Sequence, residues 1–303
     1  MIFSFLAVRL VLNRFIYDRI RLIYKAIHQF KREKGESGVK FLVKKDTVDN
    51  VYKEVVQWQQ SKSQEIEQLK KMENHRREFL GNVSHELKTP IFNIQGYVLT
   101  LLDGGLEDKK INREYLYRTE KSINRMIAIV EDLEEISKLE SGELKINYEK
   151  IDIVALTKEI MEFMEMKSRT NKAHIYLSSN YDRPIFVYAD NEKIRQILIN
   201  LIDNAIKYGN KEETKIKISF FDMDENILIE ITDNGIGIDE DDLSRVFERF
   251  YRVDKNRSRE TGGTGLGLSI VKHIIEAHNQ VINARSKKGV GTTFGFTLKN
   301  ASK

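Results

Sequence analysis

The sequence predicts a multidomain fold in which a long α-helical hairpin, forming a dimeric four-helix bundle, is followed by an α/β sandwich domain. Three observations lead to this prediction. The 303 residues include only two prolines, so long uninterrupted helices are possible. Apolar residues repeat at steps of three and four in two stretches that a glycine-rich stop separates. After Gly142, strand-like and helical segments alternate.

The first long helix is predicted over residues 47–102. Its early apolar residues, from Val51, follow coiled-coil steps. Farther along, one line on the helix surface collects apolar residues, namely Leu80, Val83, Leu87, Ile91, Ile94, Val98 and Leu101. The sequence Asp103-Gly104-Gly105 should end this helix.

A second helix is predicted over about residues 112–139, and Ser141-Gly142 closes it. The inner face of this helix is formed by Leu116, Ile123, Ile127, Val130 and Leu133. A single hairpin offers too little partner surface for these apolar faces. Two copies that form a four-helix bundle are therefore the expected arrangement.

The segments after Gly142 predict the α/β domain. Strands are expected at residues 215–221, 227–232 and 293–298, and helices at residues 153–167, 191–208 and 266–277. Since the two kinds of segment alternate, helices should pack on a sheet in a sandwich.

The composition excludes several classes of protein. Charged residues make up 32% and hydrophobic residues 41%, which excludes a collagen, a low-complexity polymer and a wholly disordered chain. No stretch reaches the ~20 apolar residues of a spanning helix, so a multi-span membrane protein is excluded. The chain has no cysteine, which excludes disulfides, thiolate metal sites and cysteine nucleophiles.

The amino-terminal end is both basic and apolar. Residues 1–45 contain eleven Lys and Arg against three Asp and Glu, and the chain starts with a short apolar run. Basic residues of this kind are typical of the cytoplasmic edge of a membrane segment. Two membrane interpretations stay open: the tail of a longer membrane protein, or an interfacial amphipathic helix. A third interpretation, which involves no membrane, is an ordinary soluble helix with one apolar face.

One histidine on the first long helix has the chemistry of a nucleophile. His85 lies about 160° from the apolar line and should face water, and Thr89 shares its face. A neutral imidazole is a competent nucleophile, and Glu86 can accept a hydrogen bond from it. Pro90 cannot donate to the carbonyl of Glu86, so we expect a bend there. A zinc-protease motif is excluded because Thr89 stands where it needs a histidine. The alternative is a solvated surface histidine.

Three segments of the second domain have the chemistry of a nucleotide site. Residues 200–208 place Asn200, Asn204 and Lys207 on one helix face, where amide oxygens and a cation suit a metal and phosphates. Residues 233–237 offer a carboxylate and glycines. Residues 262–269 are a glycine run that enters a helix, whose free N–H groups bind phosphate. Taken one at a time, the three segments could instead be a helix cap, a turn and a flexible linker, in that order.

Together with the histidine helix, these segments resemble bacterial sensor histidine kinases of two-component systems over roughly residues 72–299. The family's boxes are matched by residues 79–91 (H box), 200–208 (N box), 233–238 (G1 box), 247–252 (F box) and 262–268 (G2 box), and residues 291–294 resemble the closing G-T-x-F strand. The resemblance implies an ATP-binding domain of the Hsp90 and gyrase type beside a dimeric histidine-bearing bundle.

The resemblance also implies roles for individual residues. His85 would be the phosphoacceptor and Glu86 its polarising base, while Thr89 would assist the reverse, phosphatase reaction. In the nucleotide site, Asn204 would hold Mg²⁺. The other residues implied for ATP are Asn200 and Lys207 near the phosphates, Tyr208 and Asp233 at the adenine, Arg252 at phosphate, Gly263, Gly265 and Gly267 as the lid hinge, and Gly235, Gly237, Thr264 and Leu266 within the matched boxes.

The expected organisation has four parts. They are a basic and apolar juxtamembrane segment at 1–46, a coiled-coil signalling helix at 47–71, a dimerisation and phosphotransfer domain at 72–142, and a catalytic domain at 143–303. The partners implied are a response regulator receiver domain, a second copy of the chain and a membrane surface or anchor, with no nucleic acid. The location implied is the cytoplasmic side of the cell membrane, with the cytoplasm as the alternative.

Two rival functions use the same features. An ATP-driven conformational machine would hydrolyse ATP without needing His85, and a scaffold that only binds would tolerate loss of Asn204 or Asp233. The sequence also departs from the family in two places. His278-Asn279-Gln280 stands where His-Gly-Gly is usual, and residues 12–65 resemble a HAMP-type linker only loosely.

Overall fold

The structure, a computed structural model, describes residues 3–5, 7–9, 11, 15, 47–140, 145–210, 212–253 and 263–301. It divides into two compact units, residues 1–78 and 79–303. Most of the juxtamembrane segment expected at 1–46, and the residue Gly142 expected to close the second helix, lie outside the described residues. No helix in the described part of the chain is both long and apolar enough to cross a membrane.

The described residues of the first unit belong to two helical stretches. Near the amino terminus the described helical residues include large apolar side chains that are more than half exposed, namely Phe3, Phe5, Val8, Val11 and Phe15. The second stretch is the beginning of α1 (Thr47–Thr100). Ile66 and Leu69, which continue the predicted coiled-coil pattern, are 52% and 57% exposed in the single chain.

The second unit begins with the predicted hairpin. Helix α1 ends at Thr100, followed by a π-helical turn at Leu101–Gly105, and α2 runs from Lys109 to Glu140. Gly104 has φ +102°, a conformation that glycine adopts without strain. Helix α2 begins three residues before the predicted start because Asp108 caps it, accepting from the N–H of Lys110 at 2.8 Å.

Within the hairpin, few apolar residues are covered. Ile129 is fully buried, and the rings of Tyr97 and Tyr115 meet at 5.2 Å across the two helices. Much of the predicted stripe and inner face is 40–57% exposed in the single chain: Leu80, Ile91, Val98, Leu116, Ile123, Ile127 and Val130. One partner helix can cover only one side of each helix, so these two faces are left for another surface.

The remaining elements form the α/β domain. The strands are β1 (Glu149–Asp152), β2 (Ala173–Leu177), β3 (Phe186–Ala189), β4 (Thr214–Met223), β5 (Asn226–Asp233), β6 (Ile282–Lys287) and β7 (Gly291–Asn300). The helices are α3 (Ile153–Phe163), α4 (Glu165–Thr170), α5 (Asn191–Tyr208), α6 (Glu240–Leu243) and α7 (Gly267–Ala277).

The strands form one sheet in the order β1-β3-β7-β5-β4-β2, with β6 paired to β7. All pairs are antiparallel except β2 with β4. Alternate residues of β5 are buried, which is the pattern of a sheet with one covered face. Helices α3, α5 and α7 supply apolar side chains to the same core, so the domain is a sandwich of helices on a sheet.

The end of α2 joins this core as well. Ile136 is 1% exposed and belongs to the buried cluster of the α/β domain. One residue earlier, Glu135 accepts from Lys193 Nζ at 2.7 Å and from the side-chain amide of Gln196, both on α5. The carboxyl end of the hairpin is thus docked on the sheet domain by an apolar and a polar contact.

The structure differs from the predicted elements in two ways. The helix predicted at 153–167 is interrupted at Met164, which separates α3 from α4. Strands β1, β2, β3 and β6 were not predicted. They have four to six residues each, and β6 alternates between half-buried and exposed positions with a largely polar sequence. Such short strands have too little hydrophobic alternation to be recognised from sequence.

Candidate functional site

One cavity of the α/β domain collects most residues that the sequence assigned to a nucleotide. It has a volume of about 160 Å³ and opens to solvent. Among the predicted residues, those that line it are Asn200, Asn204, Lys207, Tyr208, Asp233, Gly237, Arg252, Gly263, Thr264, Gly265 and Gly267. The predicted residues Gly235 and Leu266 do not line it. Because the three predicted segments come from distant parts of the chain, their convergence is a property of the fold.

Helix α5 supplies one wall of the cavity. Its N-cap is Asp190, whose side chain accepts from the N–H of Lys193 at 3.2 Å. The steps from Asn200 to Asn204 and Lys207 are four and three residues, so these side chains share one helix face. The opposite face is buried in the core. Burial of the apolar face therefore fixes which polar residues point into the cavity.

A carboxylate next to this wall holds Lys207. Asp203 accepts from Lys207 Nζ at 2.7 Å and also forms an ion pair with Lys167 of α4. Burial acts to raise the pKa of Asp203, but the hydrogen bonds from the two lysines outweigh it, and the pKa is lowered overall. Asp203 is thus an anion at neutral pH that fixes the lysine of the cavity.

Asp233 lies deep in the cavity at the end of β5. It is 9% exposed, and its Oδ1 accepts from the N–H of Gly235 at 2.7 Å and of Thr292 at 3.3 Å. Burial raises the pKa of Asp233 to about 6, although the two hydrogen bonds act to lower it. Within the described residues both bonds are made to Oδ1, which leaves Oδ2 to accept from a bound molecule.

Gly235 supports the site from outside the cavity. A Cβ at this position would lie 2.2 Å from the carbonyl oxygen of Tyr208, so the loop after β5 passes α5 too closely for any side chain. The N–H of Ile236 donates to that same carbonyl at 3.1 Å. Because Gly235 has no side chain, the backbone can pack closely here, and this packing positions Asp233.

A lid is expected over the cavity at residues 251–264, of which residues 254–262 lie outside the described residues. The two described ends of this lid bound the cavity on another side. Arg252 donates to the carbonyl of Gly263 at 2.5 Å and so joins these two ends. Gly265 has φ +77°, and its carbonyl accepts from the N–H of Phe250 at 2.9 Å. Leu266 is fully buried just before α7, and its N–H donates to Thr264 Oγ1 at 3.2 Å. Leu266 is thus a supporting core residue.

The histidine helix lies beside this lid. His85 is exposed on α1, as the helical pattern predicts, and Thr89 is half-buried, with its hydroxyl donating to the His85 carbonyl at 3.3 Å. Glu86 pairs with Arg125 at 2.9 Å and with Arg252 at 3.1 Å. Phe79 contacts Phe250, with ring centroids 5.8 Å apart. The predicted bend at Pro90 stays a prediction.

Other residues of the cavity were not named individually as site residues from the sequence, although Tyr251 and Val253 belong to the lid expected at residues 251–264. These are Asp203, Ile236, Ile238, Val246, Tyr251, Val253, Leu268, Thr292 and Phe294. Most are apolar, and they form a wall against which a flat ring can lie. The alternation of residues 293–298 indicated a strand, but nothing in the sequence showed which side of it faced the cavity.

The donor set also fits a magnesium ion that accompanies phosphates. No group of three or more His, Asp and Glu side chains that could hold a metal is found in the described residues. Asn200 and Asn204 line the cavity beside Lys207. Mg²⁺ accepts oxygen ligands and is commonly bound by one or two protein groups together with substrate phosphates. The amide oxygens of these residues suit that role.

Comparison with known proteins identifies the two parts of the chain separately. Residues 75–142 match the family described as His Kinase A (phospho-acceptor) domain. Residues 189–302 match the family of histidine kinase-, DNA gyrase B- and HSP90-like ATPases. These matches include His85 in the first case and Asn200, Asn204 and Asp233 in the second.

Individual relatives agree with these matches. The sensor histidine kinase WalK of Bacillus subtilis (strain 168) is 41% identical over 236 residues, covering 77% of this chain and 38% of the relative. The sensor protein kinase WalK of Staphylococcus aureus is 37% identical over 235 residues, covering 77% of this chain and 56% of the relative. The chain thus spans between about two fifths and three fifths of these relatives.

Solved structures of similar fold include two histidine kinases. The Acinetobacter baumannii histidine kinase AdeS matches with a TM-score of 0.56 and 32% identity over 72% of this chain and 98% of that chain. Histidine kinase ThkA, solved in complex with response regulator protein TrrA, matches with a TM-score of 0.61 and 26% identity over 74% of this chain and 61% of that chain. With both domain families in this order and a solved kinase covered almost from end to end, the chain belongs to the sensor histidine kinases of bacterial two-component systems.

Proposed function

We propose that the chain transfers the γ-phosphoryl group of ATP to His85 and then to an aspartate on a separate response regulator. The contact between Glu86 and Arg252 carries this proposal. Arg252 lines the cavity, and its partner Glu86 directly follows His85 on α1. A nucleotide in the cavity would therefore have its phosphates toward the helix that bears the acceptor. Thr89, one turn after His85, would serve the reverse phosphatase reaction.

The cavity suits ATP at both of its ends. Asp233 and apolar side chains such as Ile236 and Phe294 line the same cavity, so the carboxylate would accept a hydrogen bond from the exocyclic amine of adenine and the apolar side chains would contact the ring. Asn200, Lys207 and Arg252, which line the cavity as well, would surround the phosphates. The N–H groups at the start of α7 add partial positive charge there. The hydrophobic and the cationic ends thus orient the nucleotide.

The chemistry follows from this orientation. One ring nitrogen of His85 attacks the γ-phosphorus with its lone pair while the bond to the leaving ADP oxygen breaks. The other ring nitrogen gives its proton toward Glu86. Asn204 would hold Mg²⁺ together with the phosphates, and the ion would supply stabilisation of the charge on the transferring group. Arg252 and Lys207 stabilise the same charge from the protein.

Labelling with γ-³²P ATP tests the acceptor. Wild-type chain should acquire an acid-labile, base-stable label, and His85→Gln should acquire none, because the amide cannot act as a nucleophile. The matched control is His174→Gln, an exposed histidine on β2 far along the chain. Equal labelling of wild type and His85→Gln would end the assignment. Free phosphate released by both at equal rates would instead favour an ATP-driven conformational machine.

The metal role of Asn204 is tested in the same assay. Asn204→Ala should abolish labelling, since the side chain is a magnesium ligand in this proposal, while Asn283→Ala on the exposed side of β6 should not change it. Labelling of Asn204→Ala at the wild-type rate would remove Asn204 from this role and leave the acceptor assignment intact.

The proposed partners rest on exposed surfaces and on the relatives. The exposed apolar faces of α1 and α2 suit a second copy of the chain, which would complete a four-helix bundle. The relative ThkA was solved with a response regulator, and we infer a receiver domain as the partner here. The exposed Phe3, Phe5 and Val8 beside many basic residues suit an anionic membrane. Cosedimentation with anionic vesicles that persists after deletion of residues 1–46 would contradict this.

A further inference from the structure

The carboxylate of Glu86 lies between two guanidinium groups. Arg125 of α2 donates to Oε2 at 2.9 Å, and Arg252 at the lid donates to the same oxygen at 3.1 Å. The three side chains are mostly buried, with exposed fractions of 16% for Glu86, 18% for Arg125 and 6% for Arg252. In the described part of the chain both contacts of Glu86 are made to Oε2, so Oε1 is left for a further donor.

The helix itself does not hold Glu86 against the acceptor histidine. Successive side chains on an α-helix diverge by about 100°, so His85 and Glu86 do not face each other by default. His85 is exposed, whereas Glu86 points toward α2 and the lid. A carboxylate that serves His85 must therefore be fixed in one rotamer by other groups, and the two arginines are the groups that do so.

The two arginines differ in what else they do. Arg252 lines the nucleotide cavity and donates to Gly263, so arriving phosphates compete with Glu86 for its guanidinium. Arg125 is on the second hairpin helix and is not among the lining residues. When a nucleotide engages Arg252, Arg125 remains as the partner of Oε2. Arg252 can thus hold Glu86 before a nucleotide binds, and Arg125 can hold it afterwards.

We propose that Arg125 is a positioning residue for the phosphorylation of His85. From the second helix of the same hairpin, it holds Oε2 of Glu86 so that Oε1 can receive the proton from the imidazole. Arg125 acts through Glu86 and touches neither ATP nor the reacting atoms. This inference rests on the proposed function, since it assigns a role within that reaction.

Single-turnover autophosphorylation of the full chain tests the inference. Arg125→Ala should lower the rate at saturating ATP by about tenfold, because the carboxylate loses its orientation. The KM for ATP should stay within about twofold of wild type, because the cavity is unchanged. Arg125→Lys, which restores a cation at shorter reach, should recover part of the rate. Arg113→Ala, an exposed arginine on the same helix, is the control and should behave as wild type.

A double-variant cycle separates positioning from general structural damage. In a Glu86→Gln background the rate is already reduced, and adding Arg125→Ala should lower it by less than twofold. The further loss is small because both substitutions disable the same Glu86–Arg125 pair. A full additional tenfold loss would overturn the inference, and so would an unchanged rate for Arg125→Ala alone. If Arg125→Ala unfolds, Arg125→Gln enters the same cycle. Absent labelling of the wild type would instead contradict the proposed function.

Discussion

Asp233 is the residue on which two opposite requirements meet. In the proposed function its carboxylate accepts from an adenine amine, which it does most strongly when ionised, yet burial disfavours the charge and raises the pKa to about 6. Its ordinary value in an unfolded chain is near 3.8. At neutral pH the carboxylate is therefore ionised, but burial makes its charge less favourable in the folded chain than in the unfolded chain.

We predict that acidification through about pH 6 weakens ATP binding and favours folding through the same group. The raised pKa means that the folded chain binds more protons than the unfolded chain between about pH 4 and 6, so the contribution of Asp233 to stability falls as pH rises through that window. Above pH 6 the loss of folding stability that Asp233 causes stays constant, at about 3 kcal/mol.

The variant Asp233→Asn provides the comparison. The amide oxygen of the asparagine can still accept from the N–H groups of Gly235 and Thr292, but the amide does not ionise in this pH range. Calorimetry should show that the ratio of wild-type to variant ATP affinity falls from pH 7.5 to pH 5, since protonation of ATP itself affects both equally. Urea unfolding at pH 7.5 without nucleotide should find the variant at least as stable. A constant affinity ratio across this range would contradict the prediction.

The turn after α7 departs from the family pattern, and the structure shows how it closes. In the sequence 278–280, Asn279 replaces the usual glycine, and the structure places it at φ +56°. Asparagine tolerates this left-handed conformation better than other non-glycine residues. The N–H of Gln280 donates to the carbonyl of Ile275 at 3.0 Å, so the turn after α7 closes without glycine.

The elements themselves were predicted to different degrees. The long, strongly periodic segments were predicted well: α5 was placed at residues 191–208, the bounds the structure has. The hairpin loop was predicted from its glycines, whereas the start of α2 was displaced because the capping role of Asp108 was overlooked. Strands such as β3, with four residues, depend on pairing with distant segments that no local pattern reveals.

The hairpin carries a prediction of its own about assembly. Ile123→Glu combined with Ile127→Glu should convert a dimer into a monomer, because each places a charge on a face that a second copy would bury. Size-exclusion chromatography with light scattering measures this. Lys121→Glu, at an exposed polar position of the same helix, is the control. A wild-type chain that is already monomeric at micromolar concentration would contradict the bundle.

The contact between α2 and the sheet domain could not be predicted from the sequence. The sequence marked Ile136 only as one more residue of a long helix, and its burial depends on where α7 and α5 lie in the folded domain. The same holds for Glu135, whose partners are about sixty residues farther along. Docking of one domain on another depends on contacts between residues that are far apart in the chain. The periodicity of a single helix does not reveal such contacts.

We predict that Ile136→Ala destabilises the folded chain by about 2–4 kcal/mol, the cost of removing a large side chain from a packed core. Urea unfolding followed by circular dichroism measures the change. Phe163→Ala, a side chain that is 73% exposed, should change stability by about 0.5 kcal/mol or less. Equal, small effects of both substitutions would show that the hairpin end is not part of the core.

The trio of Lys167, Asp203 and Lys207 has a consequence for the encounter with a polyanion. Lys167 and Lys207 both pair with the carboxylate of Asp203, so Lys207 is held at this wall of the cavity as a fixed positive charge. Such a charge draws triphosphates inward over several ångströms and loses reach as ionic strength increases. The rate at which nucleotide is captured should accordingly decline with added salt more steeply than the rate at which it escapes.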